Sequence, residues 1–109
     1  DGGAFTTAAD LHRFWLALLD GRIVSQGSVE AMIRPRFDVP DERKRYGMGF
    51  WLHPTHDALI LEGYDAGASF RSTHLVASRT TVSVLGNSSE GGWPVIFALA
   101  DAIDAELGA

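Results

Sequence analysis

The sequence predicts an α+β fold, an antiparallel sheet flanked by helices. Apolar residues recur at helical spacing near both ends of the chain. Between them, from Tyr46 to Leu85, short aromatic and β-branched runs alternate with turn residues. The links between these runs are short, which favours antiparallel pairing. Helices and strands segregated in this way indicate α+β architecture.

Thr7 opens the first helix, and Thr7-Ala8-Ala9-Asp10 resembles a capping box with a shorter acid. Leu11, Phe14, Trp15 and Leu18 then form an amphipathic stripe. Gly21 suits a left-handed cap. A second helix is predicted from Gly27 to Ile33, started by Ser25 or Ser28 and stopped by Pro35. Arg34 to Arg45 is charged, holds Pro35 and Pro40, and reads as a surface loop. Tyr46 to Leu52 alternates large with small residues and predicts a strand, with its glycines allowing close packing. His53 to Asp57 is a turn. Ala58–Tyr64, Ser69–Val76 and Thr80–Leu85 complete a four-stranded meander. After the Gly86–Gly92 loop, Pro94 lies in the first turn of a last helix. Ile96, Leu99, Ala100, Ile103 and Leu107 give it one apolar stripe, which would cover one sheet face. The other face has no obvious local partner unless the first two helices supply it. Residues 1–45 thus form a helical segment with its loop, and 46–109 the strands and last helix.

Composition narrows the function. The chain has 109 residues, 46% hydrophobic and 21% charged, an ordinary globular balance that excludes disordered and fibrous classes. Its longest apolar stretches, Phe14–Leu19 and Val95–Ala100, fall far short of the roughly 20 residues of a membrane span. The net charge of −5, without a basic patch, argues against nucleic acid as a partner. Cysteine is absent, so there is no disulfide or thiolate chemistry. The chain starts Asp1-Gly2-Gly3 without methionine or a signal-peptide pattern, so a start inside a longer protein is expected.

Lys44 is the only lysine, and position 41 is Asp41, so a Ser-x-x-Lys nucleophile–base pair is impossible in this chain. Gly67-Ala68-Ser69-Phe70-Arg71 lacks the second glycine and the strand-turn-helix context of a nucleophile elbow, so Ser69 reads as a strand serine. His53, His56 and Asp57 are explained by a Pro-containing turn, and no metal site is expected. His12 and His74 read as boundary or surface residues. Trp15, Trp51 and Trp93 read as core and edge packing. Glu62 to Ser72 is the most unusual segment. Its small residues after Tyr64-Asp65 suit either a tight turn or close approach by a ligand, and both readings stand.

The order of segments carries a family resemblance. Gly2-Gly3-Ala4-Phe5-Thr6-Thr7-Ala8-Ala9-Asp10-Leu11-His12-Arg13-Phe14 resembles a Gly-Gly-aromatic-Ser/Thr-Thr-x-x-Asp-Leu-x-x-Phe helix start. Leu18 to Ser25, with Met32 after it, resembles a leucine-rich helix end, a turn and a methionine-bearing helix. Tyr46-Gly47-Met48-Gly49-Phe50-Trp51 resembles a Tyr-Gly-Leu-Gly-Trp strand, and Val82 to Ser88 a Val-Val-Leu-Ser-Asn-Ser strand end. All four occur in the serine beta-lactamase-like family, which includes class C beta-lactamases, penicillin-binding DD-peptidases and related esterases.

The resemblance implies the C-terminal part of that family's α/β sandwich. It places the nucleophilic serine, its lysine and a Tyr-x-Asn element upstream, so no catalytic residue is expected in this chain. The family's Lys-Thr-Gly or His-x-Gly element would fall on Glu62 to Gly67, with Tyr64 at the cationic position and Asp65 beside it. A tyrosine is neutral near pH 7, and Asp65 repels a carboxylate. The resemblance therefore implies a substrate wall at Tyr64, Asp65, Ala66, Gly67, Ala68 and Ser69, with the Gly67–Ser69 backbone as the oxyanion-hole candidate. It implies a hydrolase acting on a small ester, amide or beta-lactam through an acyl-enzyme, with no cofactor. The expected partner is the N-terminal remainder of the same protein, or a second copy through exposed sheet. Bacterial cytoplasm and periplasm both remain open as compartments. A non-catalytic binding or regulatory relative is the alternative, and a free-standing interaction module the third reading.

Overall fold

Thr7 caps the first helix, as expected: its hydroxyl accepts the Asp10 backbone N–H at 3.1 Å. Helix α1 runs Ala8–Leu19 and buries Leu11, Trp15 and Leu18. Ser25 caps α2, Gln26–Ile33, by accepting the Ser28 N–H. The protein is described by a computed structural model over residues 3–108. Asp1, Gly2 of the Gly-Gly motif and Ala109 lie outside the described residues.

Six strands follow: β1 Phe37–Val39, β2 Lys44–Tyr46, β3 Trp51–Leu52, β4 Ala58–Asp65, β5 Ala68–Leu75 and β6 Thr80–Gly86. They form one antiparallel sheet in sequential order. Helix α3, Trp93–Glu106, carries Pro94 in its first turn.

Three expectations about the sheet need correction. The four-stranded meander is a six-stranded sheet. The stretch read as a surface loop, 34–45, contains β1, a 3₁₀ turn at Pro40–Glu42 and most of β2. Its prolines sit just outside β1, where no ladder donor is needed. Strand formation here depends on non-local pairing, Phe37 with Tyr46 and Tyr46 with Trp51, which local composition does not report. The sheet therefore begins before the composition shift at Tyr46. The predicted strand Tyr46–Leu52 also breaks at Gly47–Phe50, leaving only two residues in β3.

Period-two alternation sorts the sheet's side chains onto two faces. Leu52, Leu59 and Leu61 face the first two helices and pack in one core with Trp15, Leu18 and Val29. On the opposite face Thr73, Val82 and Val84 meet Ile96, Leu99 and Ile103 of α3. The last helix covers one sheet face, as expected, and the first two supply the cover of the other.

Polar bolts join α1 to the sheet inside the core. The Trp15 indole N–H donates to Ser72 Oγ at 2.9 Å, and Ser72 bonds Ser83 at 2.8 Å. His74, expected at a boundary or surface, is fully buried and stacks on Trp15. Its place on a central strand facing α1 removes it from water.

Candidate functional site at the free edge of β4

The short β3 determines what β4 exposes. It pairs with β4 only at Leu59 and Ile60. Beyond them, among the described residues, no strand covers the outer side of β4 from Leu61 to Asp65.

Two observations identify the backbone groups that point there. The His53 N–H donates to the Ala58 carbonyl, so Ala58 turns its groups toward β3. Asp65 and Ala68 flank a two-residue turn, so Asp65 bonds toward β5. Alternation then aims the N–H and C=O of Glu62 and Tyr64 outward, away from β5. These groups can add a strand-like ligand.

The side chains at this edge divide between the faces. Tyr64 lies on the α3 face, 68% exposed, with its ring edge-on to Trp93 at 6.2 Å. Trp93 in turn stacks on Phe97 at 6.0 Å. Asp65 and Gly63 share the opposite face. The structure thus separates Tyr64 from Asp65, the pair that the sequence set side by side.

The turn is braced from the Gly86–Gly92 loop. Ser89 Oγ accepts the Gly67 N–H at 3.0 Å and donates to the Asp65 carbonyl at 2.8 Å. Asp65 Oδ1 accepts the Ala66 N–H at 2.7 Å. Gly67 holds a φ of +80°, which glycine adopts without strain. Ser69 is buried, donates to the Ser88 carbonyl at 2.8 Å and accepts the Gly92 N–H at 3.0 Å. A hydroxyl so engaged is a structural clamp. The amides of Ala66 and Gly67 are thus already bonded, and Ser69 sits in β5 between two strands.

Sequence reasoning missed the charged group beside this edge. Glu62 accepts from Lys44 Nζ at 2.5 Å and from Arg71 Nε and Nη2 at 2.9 and 2.8 Å. Burial pushes the Glu62 carboxyl up, but hydrogen bonds from Lys44 and Arg71, with their charges, outweigh it and hold it below its ordinary range. Lys44 also lies over the Trp51 ring at 4.7 Å, and Arg71 over Phe97 at 5.8 Å. Only the cross-strand pair Glu62 and Arg71 on β4 and β5 could have signalled part of this, because Lys44 lies on β2, which was read as loop. A cleft of about 490 Å³ opens here between the Asp41–Lys44 turn and α3, lined by Glu62, Tyr64, Trp93 and Phe97.

The histidine turn borders a further cleft of about 420 Å³, lined by His53, Pro54, Arg71 and Asp104. His53 Nδ1 accepts the N–H groups of Thr55 and His56, which leaves its proton on Nε2, 2.8 Å from Asp104. It ties the turn to α3. Among the described residues no three His, Asp or Glu side chains converge in metal-binding geometry. No helix among them is long and apolar enough to cross a membrane.

The fold is therefore α+β, with an antiparallel sheet between helices and an open strand edge. No protein-family model matches the chain. It is 38% identical over 53 residues to PbpX of Bacillus subtilis (strain 168), provisionally described as a penicillin-binding protein. That match covers 49% of this chain and 12% of PbpX. The crystal structure of a penicillin-binding protein from Bacillus halodurans superposes with a TM-score of 0.81 at 30% identity. The superposition covers 94% of this chain and 32% of that one. Sequence and fold thus liken the chain to part of penicillin-binding proteins in the beta-lactamase-like family, and it spans a minor part of these relatives' length.

Proposed function

We propose that the chain is the C-terminal wall of a serine hydrolase site whose nucleophile and base lie on polypeptide outside these 109 residues. The observation that carries the reading is the free edge of β4 at Glu62 and Tyr64. Outward backbone groups there can align the acyl portion of an ester, amide or lactam by adding it as a further strand. Attack on its carbonyl by a serine from elsewhere would give an acyl-enzyme that water then hydrolyses. The residues present supply alignment, and Tyr64 and Trp93 an aromatic margin.

Neither half of a nucleophile–base pair is available within the chain's own site. Lys44 is buried and committed to Glu62, and the Ser69 hydroxyl donates to a carbonyl. The chain alone is therefore expected to be inactive. The test compares the 109-residue chain with the full-length protein on a chromogenic ester and a chromogenic cephalosporin. Turnover by the full-length protein only is expected. Turnover by the chain alone overturns the reading.

The engaged turn amides favour a second reading. Asp65 and Ser89 already bond Ala66 and Gly67, and Lys44 and Arg71 are both committed to Glu62. A binding relative without hydrolysis fits that arrangement. In that case the full-length protein has no Ser-x-x-Lys, and a fluorescent penicillin or fluorophosphonate fails to label it covalently.

A further inference from the structure

We propose that His12, Thr81 and His74 form an acid-sensitive latch holding α1 against β5 and β6, released when the His74 imidazole takes up a proton. His74, on β5, is fully buried, and its ring stacks on Trp15 of α1 at 5.7 Å. Its Nδ1 lies 2.9 Å from the Thr81 hydroxyl on β6. The same hydroxyl lies 2.8 Å from Nδ1 of His12 on α1. His74 Nε2 has no hydrogen-bond partner among the described residues.

Proton counting assigns the tautomers. Thr81 has one hydroxyl proton to share between two ring nitrogens. Orphaned buried N–H groups are rarer in proteins than under-used acceptors. His74 therefore keeps its proton on Nδ1 and donates it to Thr81 Oγ1, leaving Nε2 a bare acceptor. Thr81 donates to His12 Nδ1, and His12 carries its own proton on Nε2.

The arrangement is satisfied only while the His74 ring is neutral. A proton on His74 Nε2 creates a cation with an unmet donor against the Trp15 face. The charges that bear on His74 add to the cost. They are His12 on α1 and Arg79 after β5, while β4 opposes it with Leu59. Arg79 is itself held by Asp20 at the end of α1, at 3.2 Å. Burial first, then these two charges, pushes the His74 imidazole below its ordinary range.

The sign follows from that direction. The folded protein resists protonation more than the unfolded chain does. The contribution is fully present above the ordinary imidazole value, and declines as pH falls through it toward the lowered folded value. The folding equilibrium then weakens by up to about tenfold per pH unit for the one proton.

Nitrogen-detected NMR of the imidazoles, with amide hydrogen exchange at about pH 7.5 and about pH 5.5, tests the latch. His74 is expected as the Nδ1–H tautomer and His12 as Nε2–H. After correction for intrinsic rates, α1 protection is expected to fall by up to about tenfold per pH unit, and more than that of the β4–β5 ladder. His74→Asn keeps a donor to Thr81 but cannot take up a proton, so it should abolish the acid-induced opening. A proton found on His74 Nε2, unchanged α1 protection, or an Asn variant that still opens would each overturn the proposal. The tautomer and exchange measurements on the unsubstituted protein decide the matter if the variant does not fold.

Discussion

Lys44 is a cation whose role is set by what it faces. It is the chain's only lysine, and its side chain is 8% exposed. Glu62, 13% exposed, sits between it and Arg71 and pairs with both, and Glu42 lies 3.7 Å from Lys44. Removing one partner of such a group leaves the others desolvated and unmatched. Glu62→Gln is therefore expected to destabilise the fold by about 2–3 kcal/mol, read as a lowered urea midpoint with an unchanged slope. Acid should act in the same direction. The folded Glu62 pKa is lowered, so its contribution is present above the ordinary carboxylate value and is lost as pH falls through the folded one. Repeating the urea series from neutral to acid pH checks it: the Gln variant should lose less stability than the unsubstituted protein. Neither this triad nor the buried His74 was legible in the sequence. Both depend on register between strands, which places residues 18 and 9 apart, Lys44 and Arg71, on one carboxylate.

Gly47 decides where an element ends. Its N–H donates to the Phe50 carbonyl, closing the bend between β2 and β3, while the Met48 N–H donates to Met32. A Cβ built on Gly47 would collide with the Met32 carbonyl oxygen at the end of α2. Backbone on both sides cannot yield as a flexible side chain can. Gly47→Ala should therefore cost about 2 kcal/mol or more, measured by thermal or urea unfolding, with loosened packing of α2. Gly49→Ala meets nothing within 4 Å, but its φ of +85° makes it a strain control. The same bend explains what the sequence concealed. The Tyr46–Leu52 pattern reads as one strand, because alternation records side-chain size and not the close approach of α2. The helices were legible because their signals are local: the Thr7 and Ser25 caps, the Leu11-Trp15-Leu18 stripe, and Pro94 at the start of α3. The long hairpin β4–β5 was legible for the same reason, and the charged β1–β2 hairpin was not.

At the scale of the whole molecule the sheet's two outer strands are unequal. β1 has three residues, carries Asp38 and runs into Pro40, features that blunt an edge. β6 has seven residues and pairs only with β5 among the described residues. Helix α1 packs on its face rather than along its free side, and Leu85 remains 43% exposed. A long unpaired strand with exposed apolar residues is a template for another strand. The chain matches only 32% of the Bacillus halodurans protein's length, so a larger protein has ample polypeptide to cover that edge. The 109-residue chain by itself is expected to cover it with a second copy, pairing β6 antiparallel to β6 about a two-fold axis. Sedimentation velocity over a concentration series should show a monomer–dimer equilibrium. Leu85→Lys places a charge on the edge and should weaken association by about tenfold or more, with folding stability changed by less than about 0.5 kcal/mol. Association that is unchanged in this variant would move the contact to the exposed Val95 and Phe97 of α3, and a strictly monomeric chain would remove it altogether.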